Sequence, residues 1–380
     1  MKLTAPESAE ISKQPEPSSL LDEKDEIEVN ITIHRRDTRY EISILADGTY
    51  ARGPIEITPA ELTRYNKTLQ STFATILQNP IRSPDDLRTL AEAGSSTFKR
   101  VFGAPEIQTF IRSLMSSDRL RLQVTSEEFS VPWEIVYDGA DMYSPVSFKN
   151  FWGMKYVISR TARKEIRRKP IIFYSSRPRI GLLTNNKLSS VKTETQFFKK
   201  LHHQGNIELF MLRSLDKDQK VAEFRHLKSF WKTPFDIAQI ACHAKFHDND
   251  RKRCYLELTR DFPIDLDDLK NYDVVLDNSP LVILNACGTG NLNPQYASNF
   301  TTMFLDQGAV GVVATECILP DAFAAEFTKA LYQRFLNGAP LGECLLETRR
   351  YFLEVYANPA GLLYSMYAPS TTCLKRLVKS

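Results

Sequence analysis

Two short apolar runs limit what this chain can fold into more than any other feature. The first, residues 235–243, reads Phe-Asp-Ile-Ala-Gln-Ile-Ala-Cys-His and stops at His243. The second, residues 280–288, reads Pro-Leu-Val-Ile-Leu-Asn-Ala-Cys-Gly and reaches Cys287. Runs this short, rich in Ile, Val and Leu and almost free of charge, suit strands buried on both faces of a parallel sheet. Ligand and reaction sites in such sheets lie at the carboxyl ends of the strands. Two neighbouring strands ending in His and Cys place an imidazole beside a thiol, the minimum for thiol nucleophilic catalysis.

Flanking patterns agree with such a sheet. From Ile171 the chain alternates apolar runs with helical periodicity. Strands are expected at 180–183, 207–212 and 309–315, with a hairpin arm at 255–258. Helices are expected at 192–201, 221–231, near 296–306, at 321–336 and at 341–356. That alternation predicts right-handed crossovers with helices on both sheet faces. The earlier part reads differently. Residues 27–33 and 40–44 alternate with period two, Asp47-Gly48 signals a tight turn, and 58–117 turns helical. Residues 120–124 form another alternating strand. The expected division is therefore a disordered tail over 1–26, an α+β region over 27–165 and an α/β core over 166–380.

Composition removes several function classes. Hydrophobic residues make up 42% of the 380 and charged residues 25%, as in ordinary globular proteins. A formal net charge of +3 is too small to point to nucleic acid or a membrane surface. No run approaches the roughly 18 apolar residues of a spanning helix. Residues 1–28, rich in Glu, Ser, Pro and Lys, lack the apolar centre of a signal peptide, so a cytoplasmic location with six reduced cysteines is expected. The basic run Arg163, Lys164, Arg167, Arg168 and Lys169 reads as a solvated connector, since no aromatic residues interleave at base-stacking spacing.

Other chemistries are weaker. Cys242 precedes His243 on a strand, so it should face the opposite side as a buried core thiol. Cys242, His243 and His247 lack the paired spacing of a zinc site, and no metal is expected. No glycine-rich phosphate loop and no nucleophile-elbow serine occurs, and no cofactor is expected.

From His243 to Cys287 is 287 − 243 = 44 residues, close to the roughly 50 that separate the caspase His from its Gln-Ala-Cys-x-Gly motif. Here that motif is Asn285-Ala286-Cys287-Gly288-Thr289. Further pieces follow a family order. They are Pro132-Trp133-Glu134 before Ile135-Val136-Tyr137-Asp138, the run ending Ile158-Ser159-Arg160, Gly308-Ala309-Val310-Gly311-Val312-Val313, and Gly338-Ala339-Pro340-Leu341-Gly342-Glu343. Together, over about residues 80–380, they resemble the CHAT-domain family of caspase-like cysteine peptidases. By its residue type alone, Trp133 reads as a core anchor.

The resemblance implies a caspase-like three-layer α/β sandwich with a mostly parallel sheet. It implies an intracellular cysteine endopeptidase, with Cys287 as nucleophile and His243 as its acid–base partner. It places the oxyanion donors at the backbone N–H groups of Cys287 and Ala244. Family members often carry Gly where Ala244 stands. It also implies bacterial defence or regulated cell death, with a protein substrate and an activating sensor as partners. An inactive caspase-like scaffold is the alternative. Asn285, two residues before the nucleophile, lines the expected specificity pocket. Glu316 ends the next core strand and either faces that pocket or is an exposed strand end. Asp248 and Asp250 follow the histidine and add acidity. Such a pocket suits a basic or long neutral side chain before the cut bond rather than Asp.

Overall fold

The fold is seen in a computed structural model. It describes residues 10–13, 27–77, 84–115, 117, 120–126, 128–139, 145–161, 170–245, 254–259, 261–288, 294–316 and 319–377. The basic run 163–169 and both Asp248 and Asp250 lie outside these residues.

The first sheet is built by strands β1 (Glu10–Lys13), β2 (Ile27–Arg36), β3 (Arg39–Ala46) and β4 (Thr49–Ile55), with β5 (Leu120–Ser126) and β6 (Val157–Thr161). Its order is β1-β4-β3-β2-β5-β6. The Asp47-Gly48 signal is realised between β3 and β4, with φ of 46° and 68°, the paired positive values that a two-residue hairpin turn requires. Within the tail expected over 1–26, residues 10–13 instead pair antiparallel with β4. The isolated Glu-Ile-Ser-Lys segment is too short to announce a strand, and an available sheet edge organises it. Helices α1 (Pro59–Leu77), α2 (Pro84–Phe102) and α3 (Pro105–Leu114) cover this sheet through Leu62, Phe98, Ile107 and Ile111. The Pro132-Trp133-Glu134 segment forms a 3₁₀ turn at 133–135, followed by the short helix α4 (Trp152–Lys155). Trp133 is 1% exposed, stacked on Trp152 with centroids 6.3 Å apart.

The second sheet follows the strand–helix alternation. In chain order come β7 (Ile171–Tyr174), β8 (Arg179–Thr184), α5 (Val191–His203), β9 (Glu208–Met211) and α6 (Lys220–Trp231). Then come β10 (Ile237–Lys245), β11 (Tyr255–Thr259), β12 (Phe262–Asp265), α7 (Leu266–Asn271), β13 (Leu281–Gly288) and α8 (Pro294–Asp306). The chain closes with β14 (Gly311–Thr315), α9 (Asp321–Phe335), α10 (Leu341–Tyr356), β15 (Tyr364–Tyr367) and β16 (Cys373–Arg376). The eight-stranded sheet runs β12-β11-β10-β13-β14-β15, with β8 also paired to β10 and β9 to β8. Its centre, β9-β8-β10-β13-β14, is parallel, and the hairpin arm and β15 are antiparallel. β16 and β7 form a separate parallel pair.

Alternation assigns the faces. Ile237, Leu281, Ile283 and Val313 pack with Phe198 of α5, Phe327 of α9 and Leu345 of α10. Ala238, Ile240, Cys242, Leu284 and Ala286 pack with Phe224 of α6, Leu269 of α7 and Phe300 of α8. Helices thus cover both faces, the three-layer α/β arrangement expected from the alternation. The two sheets meet where β6 reaches β15: Arg160 Nη1 donates to Tyr367 Oη at 3.2 Å. No helix among the described residues is long and apolar enough to cross a membrane.

Candidate active site

β10 and β13 overrun their neighbours. β8 ends at Thr184, in register with Ala241, and the β13–β14 ladder ends with Leu284 beside Ala314. The β10–β13 ladder continues past both, pairing Ala241 with Asn285, His243 with Cys287 and Ala244 with Gly288. His243 and Cys287 are therefore register partners on adjacent strands, which run about 4.8 Å apart. On the other side of β10 the third member of the row is Glu257 of β11. Its carboxylate pairs with Lys245 Nζ at 3.5 Å, and that ammonium also lies over the Tyr255 ring. Lys245 thus turns toward the hairpin arm.

Cys242 is fully buried against the α6–α8 side, as alternation predicts, and burial pushes its thiol well above the ordinary range. A thiol held neutral in this way is no nucleophile. Ala244 is fully buried, and its φ is not positive, so the alanine meets none of the left-handed strain that favours glycine. Its backbone conformation leaves it eligible as an oxyanion donor.

Asn285 is only 2% exposed and fully engaged. Its Nδ2 donates to Thr328 Oγ1 of α9 at 2.6 Å, and its Oδ1 accepts from Tyr364 Oη at 3.1 Å. It also favours the charged form of Glu194 of α5. The reading of Asn285 as a pocket wall met by substrate is corrected to that extent: its amide faces the chain's own helices.

Glu316 requires a larger correction. It is not an exposed strand end, being 3% exposed. Its Oε1 accepts from Arg160 Nη1 at 2.5 Å and from Ser365 Oγ at 2.6 Å. Arg160 also pairs with Glu134, which lies 3.5 Å from Arg349. Burial pushes the Glu316 carboxyl up, and the Arg160 charge pulls it back. Burial also acts against the Arg160 charge, but Glu134 and Glu316 outweigh it, so the guanidinium stays protonated. Burial brings Arg349 down to about 10. Two carboxylates and two guanidinium groups thus neutralise one another inside the protein. With its charge met internally, Glu316 loses the ground on which it was expected to attract a basic side chain.

Sequence reasoning missed this four-residue ion cluster and the buried Glu194. Gln239 offered a signal: it is the one polar residue between Ile237 and Cys242, in an otherwise apolar strand, and shares the phase of His243. Polar residues inside a buried strand need partners, and Gln239 finds Glu194 and Tyr332.

The profile of the CHAT domain matches residues 92–360, well over half of the chain. The chain belongs to the CHAT-domain family. A probable protease of Vitiosangium sp. (strain GDMCC 1.1324) is 33% identical over 110 residues, covering 28% of this CHAT protein and 14% of the relative. The chain thus spans a small part of that relative's length. Saccharomyces cerevisiae separase, solved with securin, superposes with a TM-score of 0.51 at 11% identity, over 92% of this chain and 30% of that one. That likeness shows a shared caspase-like fold. The Drosophila initiator caspase Dronc overlaps more loosely, with a TM-score of 0.31 at 9% identity, over 53% of this chain and 85% of that one.

Proposed function

We propose that this CHAT protein is an intracellular cysteine endopeptidase in which Cys287 and His243 form the catalytic dyad. The observation that carries the reading is their register pairing at the overrunning ends of two parallel strands. In this reading His243 takes the proton of the Cys287 thiol, and the thiolate attacks the scissile carbonyl carbon. Backbone N–H groups of Cys287 and Ala244 receive the oxyanion. The imidazolium then gives its proton to the departing amine, leaving a thioester that water hydrolyses. The substrate is a specific protein partner, the enzyme waits on an activating sensor, and the setting is bacterial defence or regulated cell death. Family membership and the relative described as a probable protease support the peptidase reading.

The alternative is a caspase-like scaffold that binds partners without turnover. Peptidyl acyloxymethyl ketones discriminate, because they alkylate a thiol only where a working site presents it. Labelling of Cys287 that is lost in His243→Ala supports the peptidase. Absence of labelling under conditions in which the partner is bound supports the scaffold.

A further inference from the structure

Beneath the dyad, the α5–α9 side of the sheet carries a layer of buried polar side chains, and one carboxyl joins its halves. Glu194 lies in the first turn of α5 and is 3% exposed. Its Oε1 accepts from Gln239 Nε2 at 2.8 Å, and the Asn285 amide, standing beside its carboxylate, favours the charged form. Gln239 lies four residues before His243 on β10, and Asn285 lies two residues before Cys287 on β13. Two strand residues span about 6.6 Å, so the Asn285 tether sits one alternation step below the thiol position. Tyr332 bonds Gln239, and Thr328 and Tyr364 bond Asn285. Glu194 bonds β10 directly and stands beside Asn285 of β13.

We infer that Glu194 is a positioning residue for the dyad, its carboxylate holding the ends of β10 and β13 together from the helical side. The inference rests on the proposed roles of His243 and Cys287. A carboxylate offers two acceptor oxygens, enough for one amide donor from each strand. A glutamine of the same shape offers one acceptor and turns an N–H₂ toward the second donor, so one tether is lost at constant volume. The carboxylate is kept against cost. Burial moves its titration up to about 7, and the charged or titratable groups facing it from α9 are Lys329, itself bonded to Glu326, and the Tyr332 hydroxyl. Buried carboxyls with such shifted titration cluster at functional sites. Small displacements of reacting groups change rates by up to about a hundredfold, which gives a tether two residues away a kinetic effect.

The test measures Cys287 alkylation by iodoacetamide against pH in the full chain, read by mass spectrometry of the Cys287 peptide. Wild type, His243→Ala and Glu194→Gln are compared. Wild-type Cys287 should react below the pH range of a free thiol, and His243→Ala should shift the profile toward the ordinary value of about 8.5. Glu194→Gln should fall between the two. Its rate near neutrality should drop at least about threefold, within the span set by small misplacements. Its melting temperature should match or exceed that of wild type. A merely structural role moves stability without moving this profile. Gln239→Leu cuts the same tether on the β10 side, carries the same expectation, and decides the matter if Glu194→Gln does not fold. Profiles of the tether variants that overlay wild type, with His243→Ala displaced, overturn the role of Glu194 and leave the dyad standing. Coincident profiles for wild type and His243→Ala overturn both.

Discussion

Arg160 Nη1 donates to Glu316 Oε1 at 2.5 Å, and this contact binds the end of a first-sheet strand to the end of a second-sheet strand. Both side chains are almost completely buried. The cluster they form with Glu134 and Arg349 balances two negative and two positive charges. Replacing Glu316 by Gln leaves a net buried positive charge. Glu316→Gln should lose about 3–5 kcal/mol, the usual cost of breaking a buried pair on one side. Urea unfolding measures it, and a stability equal to wild type contradicts the account. The variant should leave residue preference before the cut bond unchanged, because this carboxylate is already paired within the fold.

Trp133 is a packing anchor with no titrating group. It is enclosed by Trp152 and Phe102, with centroids at 6.3 and 6.5 Å. Trp133→Ala should cost about 3–5 kcal/mol, as large aromatic truncations in cores do. Thermal unfolding checks this. Loss of turnover with an unchanged melting temperature points to a direct role instead.

The pH dependence of stability should carry the mark of Glu194. Burial raises its titration from 4.5 to about 7 in the folded chain. The folded state therefore holds the proton more tightly than the unfolded state. The stability this contributes is complete below about pH 4.5 and is lost as pH rises through about 7. The span is 7 − 4.5 = 2.5 pH units, or on the order of 3 kcal/mol at 1.36 kcal/mol per unit. Glu194→Gln should abolish that slope, gaining on wild type as pH rises from 4.5 to 7.5. Parallel stability curves for the two proteins contradict it.

Much of the architecture was legible because long-range order here follows local pattern. The runs ending at His243 and Cys287 lie at the centre of the sheet, and Asp47-Gly48 makes its turn. What stayed hidden was partnership across long sequence distance. Glu316 reads as a free strand-end acid because nothing near it in sequence says that Arg160, 156 residues away, closes on it. Asn285 reads as a pocket wall because its partners Thr328 and Tyr364 lie 43 and 79 residues on. Charge and polarity are written in the sequence, but their neutralisation is a property of the fold.

Residue preference before the cut bond should follow from that neutralisation. With Glu316 paired, the acidity expected beside the dyad falls to Asp248 and Asp250, which follow His243 in sequence. Peptides bearing Arg, Lys, Leu, Met or Gln at that position should turn over faster than the Asp peptide. An Asp side chain set against carboxylates costs several kcal/mol. A fluorogenic series differing only at that position, assayed with activated enzyme, checks it. Fastest cleavage after Asp contradicts it.

On the proposed reading Cys287 and His243 act as one catalytic unit. The most direct measurement is proteolysis by Cys287→Ala and His243→Ala beside activated wild type, with folding verified by circular dichroism. Removing one sulfur at a strand end leaves only a small defect, so both variants should fold. Cys287→Ala should lose all measurable cleavage, and His243→Ala should be nearly as severe, because residues acting as a unit do not lose activity additively. Cleavage by Cys287→Ala within about tenfold of wild type contradicts the account, since loss of a nucleophile costs orders of magnitude more.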